Sequence, residues 1–343
     1  MNIQIINPIT YPNWNKLLLT ADKPSFFHTS QWARVLSESY KYEPLYFTAI
    51  EKGKLKALLP VMAIKSFLTG KRGVSLPFTD ECPLIARDPD QFREIFNKAI
   101  QHGEKEGWKS LELRGGEQYL SDTRPAESFL THKLALGFSE EEIFKTFRSS
   151  TRRNIKKAAR GDISVSISNS IDAVQSFFRL NCITRKDHGL PPQPYSFFKK
   201  IARHVMAAEN GVIVLAAYKN ETIAGALYFH SGQEAIYKYG ASDKAFQSLR
   251  ANNLVMWEAI KHFAQKGLKS LSFGRTEPEH HGLNQFKNGW GTKQGTLNYY
   301  KYDLKQEAFM SKPPKIKSSY NVFHKMPLPI LKLIGRILYR HVG

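Results

Sequence analysis

The feature that most constrains this chain is a short phrase that occurs twice. Residues 106–114 read "EGWKSLELR" and residues 266–274 read "KGLKSLSFG". When Gly107 is placed on Gly267, both phrases have Gly, Lys, Ser and Leu at the same positions, and a bulky apolar residue follows each glycine. One short match can arise by chance between two α/β segments. The order of elements around each phrase therefore decides whether a structural unit is duplicated.

The same elements surround each phrase. Apolar residues recur at helical spacing in 88–107 and in 248–267, and each helix is predicted to end at the glycine of its phrase. Residues 111–113 and 271–273 then alternate as in a β-strand.

A predicted hairpin lies upstream of each helix. The first spans 45–64 with a polar turn at Lys52–Gly53, and the second spans 213–229 with its turn at Asn220–Glu221. The order strand, turn, strand, variable segment, helix, glycine, strand thus occurs twice. This shared order favours duplication of an ancestral module.

The second copy continues with two more strands, at 234–243 and 295–304. A mixed sheet with one long helix crossing after its third strand is the core pattern of GNAT acyltransferases. The second half resembles the acetyltransferase-like domain of the FemAB/FemX group through "STRRNIKKAAR" (150–160), "YGASD" (239–243), "ANNLVMWEAI" (251–260), "SFGRT" (272–276) and "GLNQFKNGWG" (282–291). The first half fits less tightly, through "FFHTSQWARVL" (26–36) and "LPFTDECPLIA" (76–86).

This resemblance, which covers most of residues 25–305, implies an α/β protein with two tandem GNAT-like domains. Each would be a mixed twisted sheet flanked by helices, followed by a C-terminal amphipathic helix. We predict an N-terminal domain at 1–148, a C-terminal domain at 149–308, and a basic linker with the amphipathic helix at 309–343. The resemblance implies an N-acyltransferase acting on a cell-envelope precursor, such as a peptidoglycan or lipid-linked saccharide intermediate.

The charge balance favours partners rich in phosphate. The chain has 50 Lys and Arg against 30 Asp and Glu, a net charge of +20, and such an excess attracts polyanions. The two cysteines, Cys82 and Cys182, are too few for a secreted disulfide scaffold, so we expect a reducing cytosol. We see neither a signal peptide nor an apolar run of about 18 residues.

The acyl donor is left open between aminoacyl-tRNA and acyl-CoA. GNAT enzymes hold the pyrophosphate of coenzyme A on a glycine-rich turn at the start of the long helix. The corresponding turn here, 243–253, has no glycine, which argues against a standard CoA cradle. This departure matches the Fem-type enzymes, which take aminoacyl-tRNA, and a CoA thioester bound differently stays open.

A basic helix is predicted to contact the donor. Within 149–162, Arg152, Lys156 and Arg160 share one helical face, with Arg153 and Lys157 beside it; Ile155 and Ala159 are predicted to be buried. A solvated surface helix explains the pattern equally well. We predict that the donor is bound by four residues: Arg152, Arg153, Lys156 and Asn252.

The segment 274–293 carries the predicted acyl-transfer centre. In FemX-type enzymes a Phe-Lys pair like Phe286–Lys287 places the Lys ammonium near the acyl centre. Acyl transfer to an amine passes through an oxyanion, and a fixed cation there is worth about 3 kcal/mol. The predicted catalytic residues are Lys287, Arg275 and Asp80, and the predicted substrate contacts are Phe286, Trp290, Tyr239 and Glu81.

Other chemistry finds less support in the sequence. Asp80 and Glu81 are candidates to accept the proton of the attacking amine or to bind a cationic acceptor, and turn carboxylates explain them as well. The adjacent pair His280–His281 lacks further residues at ligand spacing, so we predict no metal. No Ser–His–Asp pattern or partnered cysteine is evident, so direct attack by the acceptor amine is the simplest mechanism.

The C-terminal segment 327–342 is predicted to be an amphipathic helix. Lys332, Arg336 and Arg340 form a basic stripe beside an apolar one. Such a helix suits the surface of an anionic membrane, although packing on the protein's own core is the alternative. We therefore expect a cytoplasmic enzyme that is peripheral on the inner face of the membrane, with a lipid-linked or sugar-nucleotide acceptor. Two alternatives remain: an acetyl-CoA enzyme of polysaccharide synthesis, and a non-catalytic protein that binds RNA or anionic lipid.

Overall fold

The computed structural model describes residues 2–311 and 321–343. The chain divides into two compact units. The first contains the residues up to Phe129, the described part of Thr296–Lys317, and Ile337–Gly343; the second contains Leu130–Gly295 and the described part of Ser318–Arg336. The domain boundaries predicted near residues 148 and 308 separate the two duplicated modules. A division into compact units does not test where one module ends and the next begins, so these boundaries stay a prediction.

The strands are β1 Ile3–Ile6, β2 Glu43–Glu51, β3 Lys54–Ser66, β4 Gly70–Val74, β5 Ser110–Arg114, β6 Glu127–Ala135, β7 Ile163–Ser168, β8 Gly211–Tyr218, β9 Glu221–Ser231, β10 Glu234–Ser242, β11 Ser270–Thr276, β12 Lys293–Asp303 and β13 Ala308–Phe309. The α-helices are α1 Trp14–Leu18, α2 Ser30–Tyr40, α3 Pro89–Glu106, α4 Glu140–Thr146, α5 Ser149–Arg160, α6 Ile171–Asp187, α7 Tyr195–Ile201, α8 Ala251–Gln265, α9 His281–Asn288, α10 Asn321–Lys325 and α11 Leu328–Val342.

The first unit is built on an antiparallel meander. β1, β2, β3 and β4 pair antiparallel in that order. Helix α3 then crosses over, and β5 pairs parallel to β4. β12 completes this sheet by pairing antiparallel to β5. The core between α3 and the sheet contains Phe47, Phe92 and Trp108.

The second unit repeats this order. β7, β8, β9 and β10 pair antiparallel in succession, α8 crosses over, and β11 pairs parallel to β10. β6 completes the sheet antiparallel to β11. The core contains Phe263, Phe273 and Trp290. Because meander, crossover helix and parallel strand occur twice, the predicted α/β class with two tandem GNAT-like folds is confirmed.

Local chemistry explains where the two crossover helices stop. Helix α3 begins at Asp88, whose carboxylate accepts the amide of Gln91, and ends at Gly107 in the left-handed conformation at φ 70°. Gly267, after α8, has φ 77°. A side chain would be strained at either position, so the two glycines of the repeated phrase are helix stops, as predicted.

Three details differ from the sequence predictions. The first copy also has a third strand, β4, which was missed because it has only five residues and two glycines. The second hairpin turns at Lys219–Asn220, both with positive φ, one residue before the predicted turn. On α5 the buried residue beside Ile155 is Ala158, and Ala159 is exposed, because the packed face lies one position earlier.

The predicted C-terminal helix is confirmed as α11. In the second unit its residues Leu331 and Gly335 are buried, and Gly335 lies against Pro192. In the first unit its last residues bond to the β3–β4 hairpin. The basic linker predicted before it lies largely outside the described residues, at 312–320.

Candidate functional site

A gap opens in the sheet of the second unit where β10 leaves β11. The two strands pair in parallel only from Glu234–Ile236 to Ser270–Ser272. Beyond that point β10 has an irregularity between Tyr237 and Tyr239, and β11 has one before Arg275. Backbone groups that no longer pair across the sheet are available to a ligand, so this gap is the natural start for a site.

A cavity of about 340 Å³ lies at the beginning of α8. It is formed by the start of α5, the end of β10, the first turn of α8 and one face of α9. The residues that matter most to its chemistry are Arg148, Asn154, Ser242, Arg250 and Asn252.

A second cavity of about 260 Å³ adjoins the first. Ser242, Asn252 and Phe286 line both cavities. The walls of the second are more apolar, with Met256 and two tyrosines, Tyr228 and Tyr237. Burial raises the pKa of the Tyr237 hydroxyl to about 12, so this group stays protonated at neutral pH. One polar cavity and one aromatic cavity therefore meet at Phe286.

The polar cavity has the features of an anion site. Helix α8 has no side-chain cap at its N-terminus, where Arg250 is left-handed at φ 60°. The Asn253 N–H donates to the Arg250 carbonyl at 2.9 Å, which leaves the N–H groups before it and the positive end of the helix dipole for an anion. Arg148 and Arg250 add charge, while the nearby Asp243 carboxylate accepts the Ala245 amide at 2.9 Å. A phosphate group matches this arrangement of donors.

Lys287 is held inside the second unit. Its side chain is 3% exposed, and its ammonium donates to the carbonyls of Gly274 and Arg275, both at 3.1 Å. These carbonyls lie at the irregular end of β11, where Gly274 is left-handed at φ 66°. The ammonium therefore has a fixed position beside the end of β11, next in sequence to the ring that separates the two cavities.

The imidazole of His132 is affected by the charge of Lys287. The imidazole is fully buried on β6. Burial, followed by repulsion from the Lys287 ammonium, lowers the pKa of His132, and the side chains of Gln294 and Asn288 oppose this shift. His132 is thus neutral at pH 7, and it does not compete with Lys287 as a source of positive charge.

Helix α5 carries positive charge beside the polar cavity, outside its lining. One face, with Thr151 and Ile155, is buried. Among the residues that the structure describes, none of its five cations joins a salt bridge: Arg152, Arg153, Lys156, Lys157 and Arg160. Arg148 precedes the helix and lines the cavity. The cavity and the basic face therefore form one continuous positive region of the second unit.

Comparisons with known proteins show what this chain is similar to. Residues 145–288 match the family model for the acetyltransferase (GNAT) domain. Lipid II:glycine glycyltransferase of Staphylococcus haemolyticus (strain JCSC1435) is 29% identical over 139 residues, 37% of this chain and 33% of that protein. The Staphylococcus aureus protein of the same name is 30% identical over 115 residues, 30% of this chain and 27% of that protein. The crystal structure of FemX superposes with a TM-score of 0.71 at 14% identity, covering 89% of this chain and 98% of that chain.

Residues 145–288 thus match a GNAT domain, and the chain shares the fold of FemX. The predicted resemblance to FemAB/FemX-like GNAT proteins is thereby confirmed. The chain spans about a third of the length of the curated glycyltransferases that it matches. Identity at this level over about a third of the chain leaves the substrates to be argued from the site.

The FemX-like fold brings part of the predicted site together. Phe286 and Asn252 line the cavities, and Lys287 lies directly beside them in sequence. Arg275 is half-buried at the end of β11, and its carbonyl binds Lys287. Arg152, Arg153 and Lys156 lie on α5 outside the cavity lining, as neighbours of Thr151 and Asn154, which do line it.

Two predicted substrate contacts lie away from the cavities. Trp290 is fully buried and packs against Phe147 at 5.0 Å and Phe286 at 5.9 Å between ring centroids. Tyr239 packs on Phe197 and Phe198 of α7. Both rings support the walls rather than line them.

The predicted carboxylates belong to the first unit. Asp80 is half-buried and Glu81 is exposed, in the segment after β4. This segment is backbone-strained, since Leu76 and Phe78 have φ near 59° and 58°. Arg114 secures it by donating to the carbonyls of Leu76 and Thr79. Strained backbone of this kind is enriched at functional positions.

Sequence reasoning missed several residues of the polar cavity. Arg148, Arg250, Ser242 and Asn253 gave no pattern of their own, although the quoted "YGASD" and "ANNLVMWEAI" contain two of them. Their proximity depends on how β10 and α8 meet. Within residues 2–311 and 321–343, no group of histidine, cysteine and carboxylate side chains could hold a metal ion.

Proposed function

We propose that this protein is an N-acyltransferase that moves an aminoacyl group onto an amine of a peptidoglycan precursor. The observation that carries the proposal is the pair of adjoining cavities at the start of α8, one polar and one aromatic, that meet at Phe286. The polar cavity suits the phosphate of a donor, and the aromatic one has room for an acyl chain. The likeness to proteins named Lipid II:glycine glycyltransferase supports lipid II or a related precursor as the acceptor.

The proposed chemistry needs no covalent enzyme intermediate. The acceptor amine attacks the donor ester or thioester carbonyl, the carbonyl oxygen gains negative charge, and the donor hydroxyl or thiol leaves with a proton. We assign Lys287 as the fixed positive charge that stabilises this oxyanion, and we assign Arg275, which neighbours it, as a second positive charge. The roles predicted for Asp80 and Glu81, which lie in the first unit, stay predictions.

We propose aminoacyl-tRNA as the donor, with acyl-CoA as the alternative. The five cations of α5 extend the positive region along a helix of 12 residues, roughly 18 Å. Coenzyme A needs only one pyrophosphate site, whereas a polyanion can use the whole face. The cavity would receive the acylated end, and α5 would contact the RNA backbone.

We also propose that the protein works at a membrane surface. Within the described residues, no helix is long and apolar enough to cross a bilayer. Helix α11 instead exposes Ile330, Leu333 and Ile337, at 48%, 55% and 50%, at helical spacing. Lys332, Arg336 and Arg340 lie exposed beside this stripe. Exposed apolar residues flanked by cations suit the interface of an anionic membrane, where a lipid-linked acceptor resides.

Replacing Lys287 tests the proposed chemistry. We expect Lys287→Met to lower kcat about a hundredfold or more while donor and acceptor binding persist, because Met keeps the side-chain volume but loses the charge and its two hydrogen bonds to carbonyls. Steady-state transfer to a lipid II analogue with charged tRNA would measure this. Lys293→Ala, at an exposed lysine nearby, is the matched control. Turnover at the normal rate in Lys287→Met would end the assignment, and tRNA binding without any turnover of the wild type would favour a non-catalytic protein.

A further inference from the structure

The turn between β3 and β4 exposes two large apolar side chains in succession. Phe67 is 83% exposed and Leu68 is 56% exposed. Turn positions usually carry small or polar residues, because apolar side chains there gain nothing from the core. Two such residues at the tip of a hairpin mark a contact site rather than a packing position.

This turn is rigid. The Ser66 hydroxyl accepts the amides of Leu68 and Thr69 at 3.1 and 3.0 Å and bonds to Nδ1 of His341 at 3.0 Å. The Phe67 ring packs edge-on against the His341 ring, with 4.6 Å between centroids. The two apolar side chains are therefore held outward by a built structure.

The last turn of α11 is fastened to the same hairpin. Thr69 donates its hydroxyl to the His341 carbonyl at 3.2 Å, and Arg72 donates to the carbonyls of His341 and Gly343, both at 2.9 Å. These bonds satisfy carbonyls that a helix end leaves unpaired. Val342 follows His341 in the chain and is 64% exposed, so the end of α11 exposes a further apolar side chain.

The β3–β4 hairpin and the segment 308–343 contribute only positively charged Lys and Arg side chains. Neither 54–74 nor 308–343 contains an aspartate or a glutamate. Lys71 and Arg72 follow the turn directly, and Arg340 directly precedes His341, which the turn contacts. Lys65 pairs with Glu43 at 3.4 Å, with both side chains more than half exposed, so that pair is weak. An apolar tip with cationic flanks complements a surface of acyl chains beneath anionic headgroups.

We infer that the β3–β4 turn and the last turn of α11 form one docking surface that inserts Phe67 and Leu68 into the interface of an anionic lipid bilayer. This inference rests on the proposed membrane contact of α11 and adds a second, independent element to it. A protein partner fits less well, because an exposed turn of three residues is far smaller than the roughly 1,000 Å² that a specific protein interface buries.

Vesicle binding tests the docking surface. The full chain is sedimented with vesicles of 30% phosphatidylglycerol in phosphatidylcholine (about that fraction of anionic lipid brings a clear surface potential) and with pure phosphatidylcholine. We expect the wild type to bind the anionic vesicles, and Phe67→Ser/Leu68→Ser to bind about tenfold more weakly. Phe67→Trp should bind as the wild type does. The matched control is Leu19→Ser, which removes a leucine that is 70% exposed elsewhere in the first unit.

The outcomes separate this inference from the proposals on which it rests. Normal vesicle binding by Phe67→Ser/Leu68→Ser overturns the inference, and if Leu333→Ser/Ile337→Ser then loses binding, α11 alone provides the membrane contact. An equal loss of vesicle binding in Leu19→Ser also overturns the inference. So does a wild type that does not bind anionic vesicles, or one that forms a dimer through this surface. Transfer to a water-soluble acceptor should be unchanged in Phe67→Ser/Leu68→Ser. Loss of that transfer would assign the tip a structural role instead.

Discussion

Burial decides which single side chains carry charge in this protein. His28 is fully buried next to the start of α2, and its Nδ1 accepts the Ser25 amide at 3.2 Å. Burial lowers the pKa of His28 to about 4, and the Pro83 carbonyl opposes the shift. Lys287 differs in its partners, because its buried side-chain nitrogen donates to two backbone carbonyls. A buried ionisable group keeps its charge only where the fold supplies partners.

His28 makes stability depend on pH. The unfolded chain protonates this residue near pH 6.5 and the folded chain only near 4, so the free energy of unfolding should fall as pH drops from 6.5 to 4. The lowered pKa of His28 should account for about 3 kcal/mol of this fall in the free energy of unfolding. His28→Asn keeps an acceptor for Ser25 and cannot titrate, so its stability should change less with pH. Urea unfolding between pH 7.5 and 4.5 measures this.

The control for that experiment is His281→Asn, at an exposed position where the ring has no buried environment to lose. It should follow the wild-type curve. A pH dependence in His28→Asn as steep as that of the wild type would show that other histidines whose pKa is lowered by desolvation carry the effect: His132, His230 and His262.

At the scale of elements, packing rather than propensity fixes how α11 sits in the second unit. A Cβ on Gly335 would lie 2.0 Å from the carbonyl oxygen of Pro192. Backbone cannot move aside as a side chain can, so only glycine allows this helix to approach so closely. The approach also leaves Ile330 and Leu333 exposed on the other side of the helix.

We predict that Gly335→Ala loosens α11. Overpacking should cost about 1–3 kcal/mol in the free energy of unfolding, and amides of 328–336 should exchange faster. Thermal unfolding and hydrogen exchange measure the two effects. Gly282→Ala is the matched control, because nothing lies within 4 Å of its Cβ position in helix α9. If Gly335→Ala melts with the wild type and keeps its protection, the close contact with Pro192 is not a constraint.

For the whole molecule, the net charge of +20 sets how strongly it is drawn to polyanions. The charge is unevenly placed: residues 308–343 have seven basic residues and no acidic one. Helix α5 holds another five cations on an exposed face. Long-range attraction therefore acts from two regions, one proposed for the donor and one for the membrane.

We predict that tRNA binding weakens steeply with salt. If α5 neutralises two or more phosphates, affinity should fall at least about tenfold between 50 and 200 mM salt. Arg153→Glu/Lys157→Glu should weaken binding and lower the slope of log affinity against log salt by about 2. Fluorescence anisotropy with labelled tRNA measures both. The control Lys98→Glu/Lys105→Glu makes the same charge change at exposed positions of α3 and should leave the slope nearly unchanged. Equal effects of the two double substitutions would mean that net charge alone drives tRNA binding. Saturable binding of CoA, with no binding of tRNA, would favour the CoA-dependent enzyme.

The sequence by itself determined the elements and their order. Period-two and helical patterns, the glycine stops at 107 and 267 and the paired hairpins are local properties, so the tandem fold and the C-terminal helix could be predicted. The short strand β4 escaped because two of its five residues are glycines. Only the tertiary structure decided which polar residues meet. Arg148, Ser242 and Arg250 come from separate segments and converge because β10 parts from β11. Likewise, the fastening of Phe67 to His341 joins residues far apart in the chain, and no local pattern encodes a contact that depends on how distant elements pack.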